Sequence, residues 1–158
     1  MVSLDADQPI FPVSQVASAI GAPTETLRTW IKRSEIKSID ASTDDVFLPG
    51  ARRSHLLSPR KALQIAAMNG LVGLGMSPAK ASLAAAYWTE AGTPERLPAD
   101  VFKKKGSTFL VAYQPDTNPP AEVVHQADLV TACSKAPAAI INLNVLTMDL
   151  FKKLGLMA

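Results

Sequence analysis

The sequence has a single cysteine, Cys133, among its 158 residues. One cysteine excludes an intrachain disulfide and any zinc site built from several cysteines, and it fits a reducing compartment. No stretch reaches the roughly 18 consecutive apolar residues that a membrane-spanning helix needs. Residues 1–7 also lack the basic and then apolar order of a secretory signal. These absences lead us to expect a cytoplasmic protein without a membrane partner.

An excess of charge of one sign is also lacking. The 16 Lys and Arg residues nearly balance the 14 Asp and Glu residues, and the formal net charge at pH 7 is +2. Such a balance excludes nucleic-acid binding through total charge alone, so any electrostatic binding must come from a local cluster. Apolar residues make up 47% of the chain, which is enough for a packed core and argues against extensive disorder.

Residues that carry catalytic or metal chemistry are few. The two histidines, His55 and His125, lie far apart in sequence, and His125 stands in a predicted strand without a nearby serine, cysteine or carboxylate pattern. Gly70, Gly73 and Gly75 lack the preceding strand and the following lysine of a phosphate-binding loop. We therefore expect no enzyme activity, no catalytic residue, no cofactor and no bound metal.

The first part of the chain predicts two short helices. Residues 13–20 carry apolar side chains at the spacing of one helix face and are predicted to form a helix capped by Ser14. Gly21 would end this helix, because glycine accepts the left-handed conformation of a helix exit. A second helix is predicted from Thr24 to about Arg33. Two short helices joined by a glycine-containing turn form a helix-turn-helix.

A wing and two further helices are expected after this pair. Residues 38–57 have no helical period and are predicted to form a hairpin or an irregular wing. Two Ser-Pro pairs, at residues 58–59 and 77–78, each place a capping serine before a proline in the first turn and so predict a helix start. We expect Gly70, Gly73 and Gly75 to mark the break between the two helices, and the second helix to run to about Ala91. The second is rich in alanine, whose small side chains would let a partner chain approach closely.

The pattern changes beyond residues 92–98, a glycine- and proline-containing stretch that we expect to be a linker. The sequence then predicts a helix capped by Asp128, a terminal helix capped by Thr147, and three strands, over residues 108–113, 121–126 and 138–146. The expected fold class is α+β. The expected organisation is a tail over 1–10, a helical winged helix-turn-helix domain over 11–92 and a small α+β domain over 99–158.

Several short motifs follow one another between residues 11 and 88. They are Phe11-Pro12-Val13-Ser14-Gln15-Val16-Ala17, then Gly21, Thr26-Leu27-Arg28-Thr29-Trp30, Arg52-Arg53-Ser54-His55-Leu56-Leu57-Ser58, the helix from Pro59, and Gly75-Met76-Ser77-Pro78. In order and spacing, this stretch resembles the DNA-binding domain of MerR-type transcription regulators. The resemblance implies a winged helix-turn-helix that binds double-stranded DNA. The chain departs from that family after this stretch, where an α+β unit replaces the long dimerising helix.

The second predicted helix is the candidate recognition helix. A helix in the major groove presents its outward side chains to base edges, and basic residues on a wing hold phosphates. Because Leu27, Trp30 and Ile31 form the apolar face, the opposite face is left for the groove. Four Lys or Arg residues and no acidic residue lie between positions 52 and 61. The predicted DNA-binding residues are Glu25, Arg28, Thr29, Lys32, Arg33, Arg52, Arg53 and His55.

The leading functional hypothesis is a sequence-specific DNA-binding protein that regulates transcription as a homodimer. A dimer is expected because one helix-turn-helix reads only a half-site, and the alanine-rich helix or the second half could supply its interface. A second hypothesis is a phage-type excisionase or small packaging subunit, which would assemble on DNA without sensing a ligand. A third is that the second half binds a small molecule or a protein and the first half does not bind DNA.

Overall fold

The computed structural model describes residues 5–39 and 56–157, and in them the chain is an α+β protein. The helices are α1 (Val13–Ile20), α2 (Thr24–Lys32), α3 (Pro59–Gly73), α4 (Pro78–Thr89), α5 (Leu129–Cys133) and α6 (Leu143–Lys153). The strands are β1 (Phe11–Pro12), β2 (Leu56–Leu57), β3 (Thr108–Tyr113), β4 (Ala121–His125) and β5 (Ala138–Asn142). The mixed helix and strand content confirms the expected fold class.

The two N-terminal helices form where the apolar spacing predicted them. Gly21 ends α1 in the left-handed conformation, with φ 71°. The predicted cap at Ser14 is wrong, because α1 already begins at Val13. Pro12 precedes it with extended φ and ψ and offers no side-chain hydrogen bond. Pro12 pairs with Leu56 in the β1-β2 ladder and is extended, and the helix start lies two residues earlier than a cap at Ser14 would place it.

Both Ser-Pro pairs begin a helix, as predicted. The Ser58 hydroxyl accepts from the Lys61 amide at 3.1 Å, and Ser77 does the same for the Lys80 amide at 3.4 Å. The predicted break over Gly70, Gly73 and Gly75 is confirmed, since α3 ends at Gly73 and α4 begins at Pro78. Gly70 itself lies within the last turns of α3. A Cβ at Gly70 would lie 3.0 Å from Cδ1 of Ile141 on β5. Glycine at this position therefore lets the helix approach the sheet rather than interrupting it.

The alanine-rich helix α4 is covered by the chain itself. Ala81, Ala84, Ala85 and Ala86 are fully buried, and α4 packs against α3, β3 and β4. The small side chains on α4 thus bring neighbouring elements of the same chain close. A dimer interface on this helix stays a prediction.

The second half contains an antiparallel sheet in the order β4-β3-β5. One face, with Leu110 and Ala112, packs into the main core, and the other, with Val111 and Tyr113, packs under α5. The predicted third strand is too long, since β5 ends at residue 142.

Different residues from those predicted precede the last two helices. The Asn142 side chain accepts from the Asn144 and Val145 amides and caps α6, so Thr147 lies inside that helix. Asp128 makes no capping hydrogen bond to α5. A 3-10 turn over Gln126–Asp128 leads into α5 instead.

The two predicted domains share one hydrophobic core. A single cluster of buried side chains joins Leu27 on α2, Met68 on α3 and Trp88 on α4 to Leu110 on β3 and Leu143 on α6. The stretch 92–98 between the two halves also packs against the helices and the sheet, as the 4% exposure of its Arg96 indicates. The Arg96 guanidinium donates to the backbone carbonyls of residues 88 and 91 at the end of α4. The core is therefore continuous across the expected linker.

Candidate nucleic-acid interface

A tight turn over residues 21–23 positions α2. The Gly21 amide donates to the Ser18 carbonyl at 3.3 Å, and the Ala22 amide donates to the Ala17 carbonyl at 3.0 Å. These two bonds satisfy carbonyls at the end of α1 and reverse the chain. Pro23 then stands at the N-cap with φ −61°, a value compatible with helix entry. The turn lets α2 pack directly on α1.

The buried face of α2 anchors it in the core. Leu27 is fully buried, and Trp30 and Ile31 are 5% and 8% exposed. Burial of one side chain of this size stabilises the folded protein by roughly 1.5–3 kcal/mol relative to leaving it exposed. Apolar packing of this face thus fixes the position of α2, and the opposite face does not contribute to the core.

The predicted groove residues of α2 lie together on its outer side. Glu25, Arg28, Lys32 and Arg33 are exposed and Thr29 is half-buried. Lys32 and Arg33 come at the last turn, where positive charge is favoured by the helix dipole. The described part of the candidate site is therefore one continuous polar surface.

An ion pair missed by the sequence reasoning lies on that surface. Arg28 Nη1 is 2.8 Å from Glu25 Oε1, and the two side chains are 60% and 81% exposed. Their spacing of three residues on one helix was the available signal. Water screens a pair this exposed, and such pairs contribute about 0–1 kcal/mol. The guanidinium can therefore exchange the carboxylate for another anion at little cost.

The wing residues Arg52, Arg53 and His55 lie outside the described residues. The residues directly after them form β2, which pairs antiparallel with β1, with Phe11 opposite Leu57. This two-residue ladder joins the end of the predicted wing to the start of α1. Residues 56–57, directly after the predicted wing, are thus paired beside the start of α1.

The other end of that segment is held by a polar latch, which we define as Lys37–Ile39 with Gln64, Ser82 and Glu90. Gln64 Nε2 donates to the Lys37 carbonyl at 2.7 Å, and the Lys37 amide donates to Ser82 Oγ at 2.6 Å. Glu90 accepts from the Ser38 hydroxyl at 2.8 Å and from the Ile39 amide at 2.7 Å. The latch fixes the chain where it leaves α2 for the predicted wing.

The basic cluster predicted over residues 52–61 is smaller than its charge count suggests. Arg60 donates to both carboxylate oxygens of Asp7, the shorter contact being 2.6 Å, and to the Thr89 carbonyl at 2.8 Å. Its hydrogen bond to Asp7 lowers the pKa of that carboxyl. The Arg60 amide also donates to the Ala6 carbonyl. Arg60 thus attaches the N-terminal residues to α3 instead of facing a ligand.

The chain matches no protein-family model and no curated protein sequence.

A second polar cluster, at the sheet, serves packing. The Tyr113 hydroxyl contacts Glu122 Oε2 and lies 3.1 Å from the Ala132 carbonyl. Lys135 Nζ donates to both Glu122 oxygens at 2.9 and 3.0 Å. Burial, and then this hydrogen bond, raise the pKa of Tyr113 above its usual range, while the tyrosine and lysine lower the pKa of Glu122. The cluster joins α5 to β3 and β4.

Residues 5–39 and 56–157 hold no group of three or more His, Cys, Asp or Glu side chains that could bind a metal ion. No helix within these ranges has the length and apolar content to cross a membrane.

We predict that replacing Gln64 with leucine lowers the free energy of unfolding by about 1–3 kcal/mol, the cost of leaving buried polar groups without a partner. Gln64 is 1% exposed, and the change removes the donor to the Lys37 carbonyl. Urea denaturation measures the effect. The matched control is Asn69→Leu on the same helix, because the Asn69 amide makes only a long 3.4 Å hydrogen bond. Equal losses in the two variants would contradict a specific role for the latch.

Proposed function

We propose that this chain is a sequence-specific double-stranded DNA-binding protein with a winged helix-turn-helix, in which α2 is the recognition helix. The observation that carries the proposal is the division of α2 into two faces. Its apolar face is buried, whereas Glu25, Arg28, Lys32 and Arg33 are exposed together on a helix held from behind. A helix presented in this way fits the width of the major groove.

Each exposed side chain of α2 has a chemical role in this proposal. Arg28 leaves Glu25 and binds a guanine edge or a phosphate, since its guanidinium presents several donors. Thr29 contacts a thymine methyl or a phosphate, and Lys32 and Arg33 bind phosphates. Glu25 either accepts from cytosine or serves the positive end of the helix dipole.

The wing belongs to the same proposal. Arg52, Arg53 and His55 would bind phosphates beside the groove that α2 occupies. Support comes from the attachment of both ends of their segment, by the latch at Lys37–Ile39 and by β2 at residues 56–57. Segments held at both ends lose less conformational entropy on binding than free ones.

We further propose that the protein acts as a cytoplasmic transcription regulator of the MerR-type class and as a homodimer. The order of motifs over residues 11–88 supports the class, and the half-site logic of a helix-turn-helix supports the dimer. The experiment is selection of bound fragments from a genomic duplex library, followed by anisotropy titration of the enriched fragment. We expect enrichment of a short inverted repeat. Retention of all fragments in proportion to their input would contradict sequence specificity.

Mutation of the Glu25–Arg28 pair is expected to raise DNA affinity, whereas most mutations in a binding site lower it. Replacing Glu25 with glutamine removes a negative charge from the α2 surface and frees Arg28. We therefore expect duplex affinity to rise by about twofold to fivefold, the equivalent of up to about 1 kcal/mol for an exposed pair. Anisotropy at low salt measures it. Glu95→Gln, at an exposed position after α4, is the control. A fall in affinity would show that the Glu25 carboxylate itself contacts DNA.

A further inference from the structure

The strand β5 lies at an edge of the sheet and directs backbone groups outward. Beyond the end of the ladder, the Gln114 amide donates to the Pro137 carbonyl at 2.9 Å. Because bonded and non-bonded pairs alternate in an antiparallel ladder, Ala139 and Ile141 bond to β3. The N–H and C=O of Ile140, between them, point away from the sheet. Tyr113 on β3 donates its amide to the Pro120 carbonyl on the β4 side. This agrees with the alternation, in which odd-numbered β3 residues bond toward β4 and even-numbered ones bond toward β5.

The two edges of the sheet differ in their protection. β4 follows two prolines and carries the charged Glu122, whereas β5 follows one proline, Pro137. Both strands also pack against helices, β4 against α4 and β5 against α3 and α6. Prolines, charges and covering elements are the usual means of preventing further strand pairing. β5 has the sequence Ala-Ala-Ile-Ile-Asn over residues 138–142, with no charge and no proline. Its outward backbone groups thus remain suited to pairing with another strand.

The surroundings of the β5 edge are apolar and open. Ile140 is 39% exposed, and Val145 and Met148 on the adjacent helix α6 are 62% and 61% exposed. A groove of about 460 Å³ runs beside this edge, between β5 and α6 on one side and Ile20 and Asn69 on the other. Apolar side chains concentrated beside unpaired backbone groups mark an interaction surface.

We propose that two copies of this chain associate through β5, which pairs antiparallel with its own copy about a two-fold axis at Ile140. In this arrangement Ala138 of one copy lies opposite residue 142 of the other, and Ile140 pairs with its equivalent. The two three-stranded sheets then form one continuous sheet. A strand that pairs antiparallel with itself meets the requirement of a closed dimer that one patch contacts the same patch on its partner.

The charges around β5 favour a second copy over an unrelated strand. β5 has no charge, so two copies meet without repulsion at the centre. The flanking helix α6 carries both signs, with Asp149 Oδ2 2.9 Å from Lys153 Nζ. In a two-fold dimer both α6 helices bring the same acid and base, so the charges beside β5 have no excess of one sign from this pair that would repel a second copy. Exposed Val145 and Met148 then lie at the border of the same interface.

The experiment is sedimentation equilibrium of the full chain without DNA, over a roughly hundredfold range of concentration, because dimerisation depends on mass action. We expect the wild type to reach twice the mass of one chain. Ile140→Lys places a charge at the centre of the edge and is expected to be monomeric. Val130→Lys is the matched control, because Val130 is 79% exposed on α5, and it is expected to remain dimeric. A wild type that stays monomeric, or a dimeric Ile140→Lys variant, overturns the proposal.

A helix variant keeps the test valid if Ile140→Lys does not fold. Val145→Lys changes an exposed position of α6 and is expected to preserve the circular dichroism spectrum while raising the dimer dissociation constant by about tenfold or more. An unchanged dissociation constant overturns the proposal. Failure here is distinguishable from failure of the proposed function, because a monomer still presents α2 and still binds a half-site with salt-dependent affinity.

Discussion

Replacement of Trp88 with alanine is expected to lower the free energy of unfolding by about 3–5 kcal/mol. Trp88 is the largest of the fully buried side chains, and its Nε1 donates to the Asp100 carbonyl at 3.0 Å. Alanine would leave a cavity at the centre of the cluster that joins α4 to the other helices and the sheet. Since small proteins have total stabilities of about 5–15 kcal/mol, this single change removes a large share.

The shared core also predicts how the Trp88→Ala variant unfolds. The chain has two tryptophans, so the remaining Trp30 reports on α2 alone, while circular dichroism reports on all helices. We expect both signals to change at the same urea concentration. Leu97→Ala is the control, because Leu97 is 64% exposed, and it should change stability by less than about 0.5 kcal/mol. Separate transitions for Trp30 and the helical signal would contradict a core shared by the two halves.

The second large effect is expected on DNA binding. Joint replacement of Arg28 and Lys32 with alanine removes two of the basic side chains on the exposed face of α2. An arginine contact to a base is worth about 1–3 kcal/mol, and a phosphate-binding lysine adds to it. We therefore expect affinity for the selected duplex to fall by about tenfold to several hundredfold. Fluorescence anisotropy at fixed salt measures the ratio.

The matched control removes the same charge elsewhere. Lys103 and Lys104 are exposed on the loop between α4 and β3, and their joint replacement with alanine also subtracts two positive charges. We expect this variant to retain affinity within about threefold, a residual effect of net charge. Equal losses from the two double variants would show that binding depends on overall charge and not on α2.

Local signals predicted much of the fold. Periodic apolar side chains located α2, the two Ser-Pro pairs located the starts of α3 and α4, and β-branched runs located β3 and β4. These features depend on residues within a few positions of one another. The helix and strand ends that the sequence predicted wrongly depend on contacts with residues distant in sequence. The start of α1 follows the pairing of β1 with β2, and Asn142 ends a strand that looked longer in apolar pattern alone.

The candidate site was predictable to a smaller degree. The outer face of α2 followed from helical spacing, because the buried stripe determines which side chains remain exposed. The latch did not follow, since Gln64 stands in an apolar run that gives no indication of its distant partners Lys37 and Ser82. Arg60 belongs to the basic cluster in the sequence, but in the structure it pairs with Asp7. The sequence gives the number of charged residues, but tertiary contacts determine which of them are already paired within the chain.

The most direct test of DNA binding through α2 is the salt dependence of affinity for wild type and the Arg28→Ala, Lys32→Ala variant. Binding through phosphates releases counterions, so the logarithm of the association constant falls linearly with the logarithm of salt concentration, by about 0.9 per phosphate contacted. We expect a steep negative slope for the wild type and a slope shallower by about 1–2 for the variant. Binding without salt dependence, or identical slopes for the two proteins, would contradict DNA binding through α2.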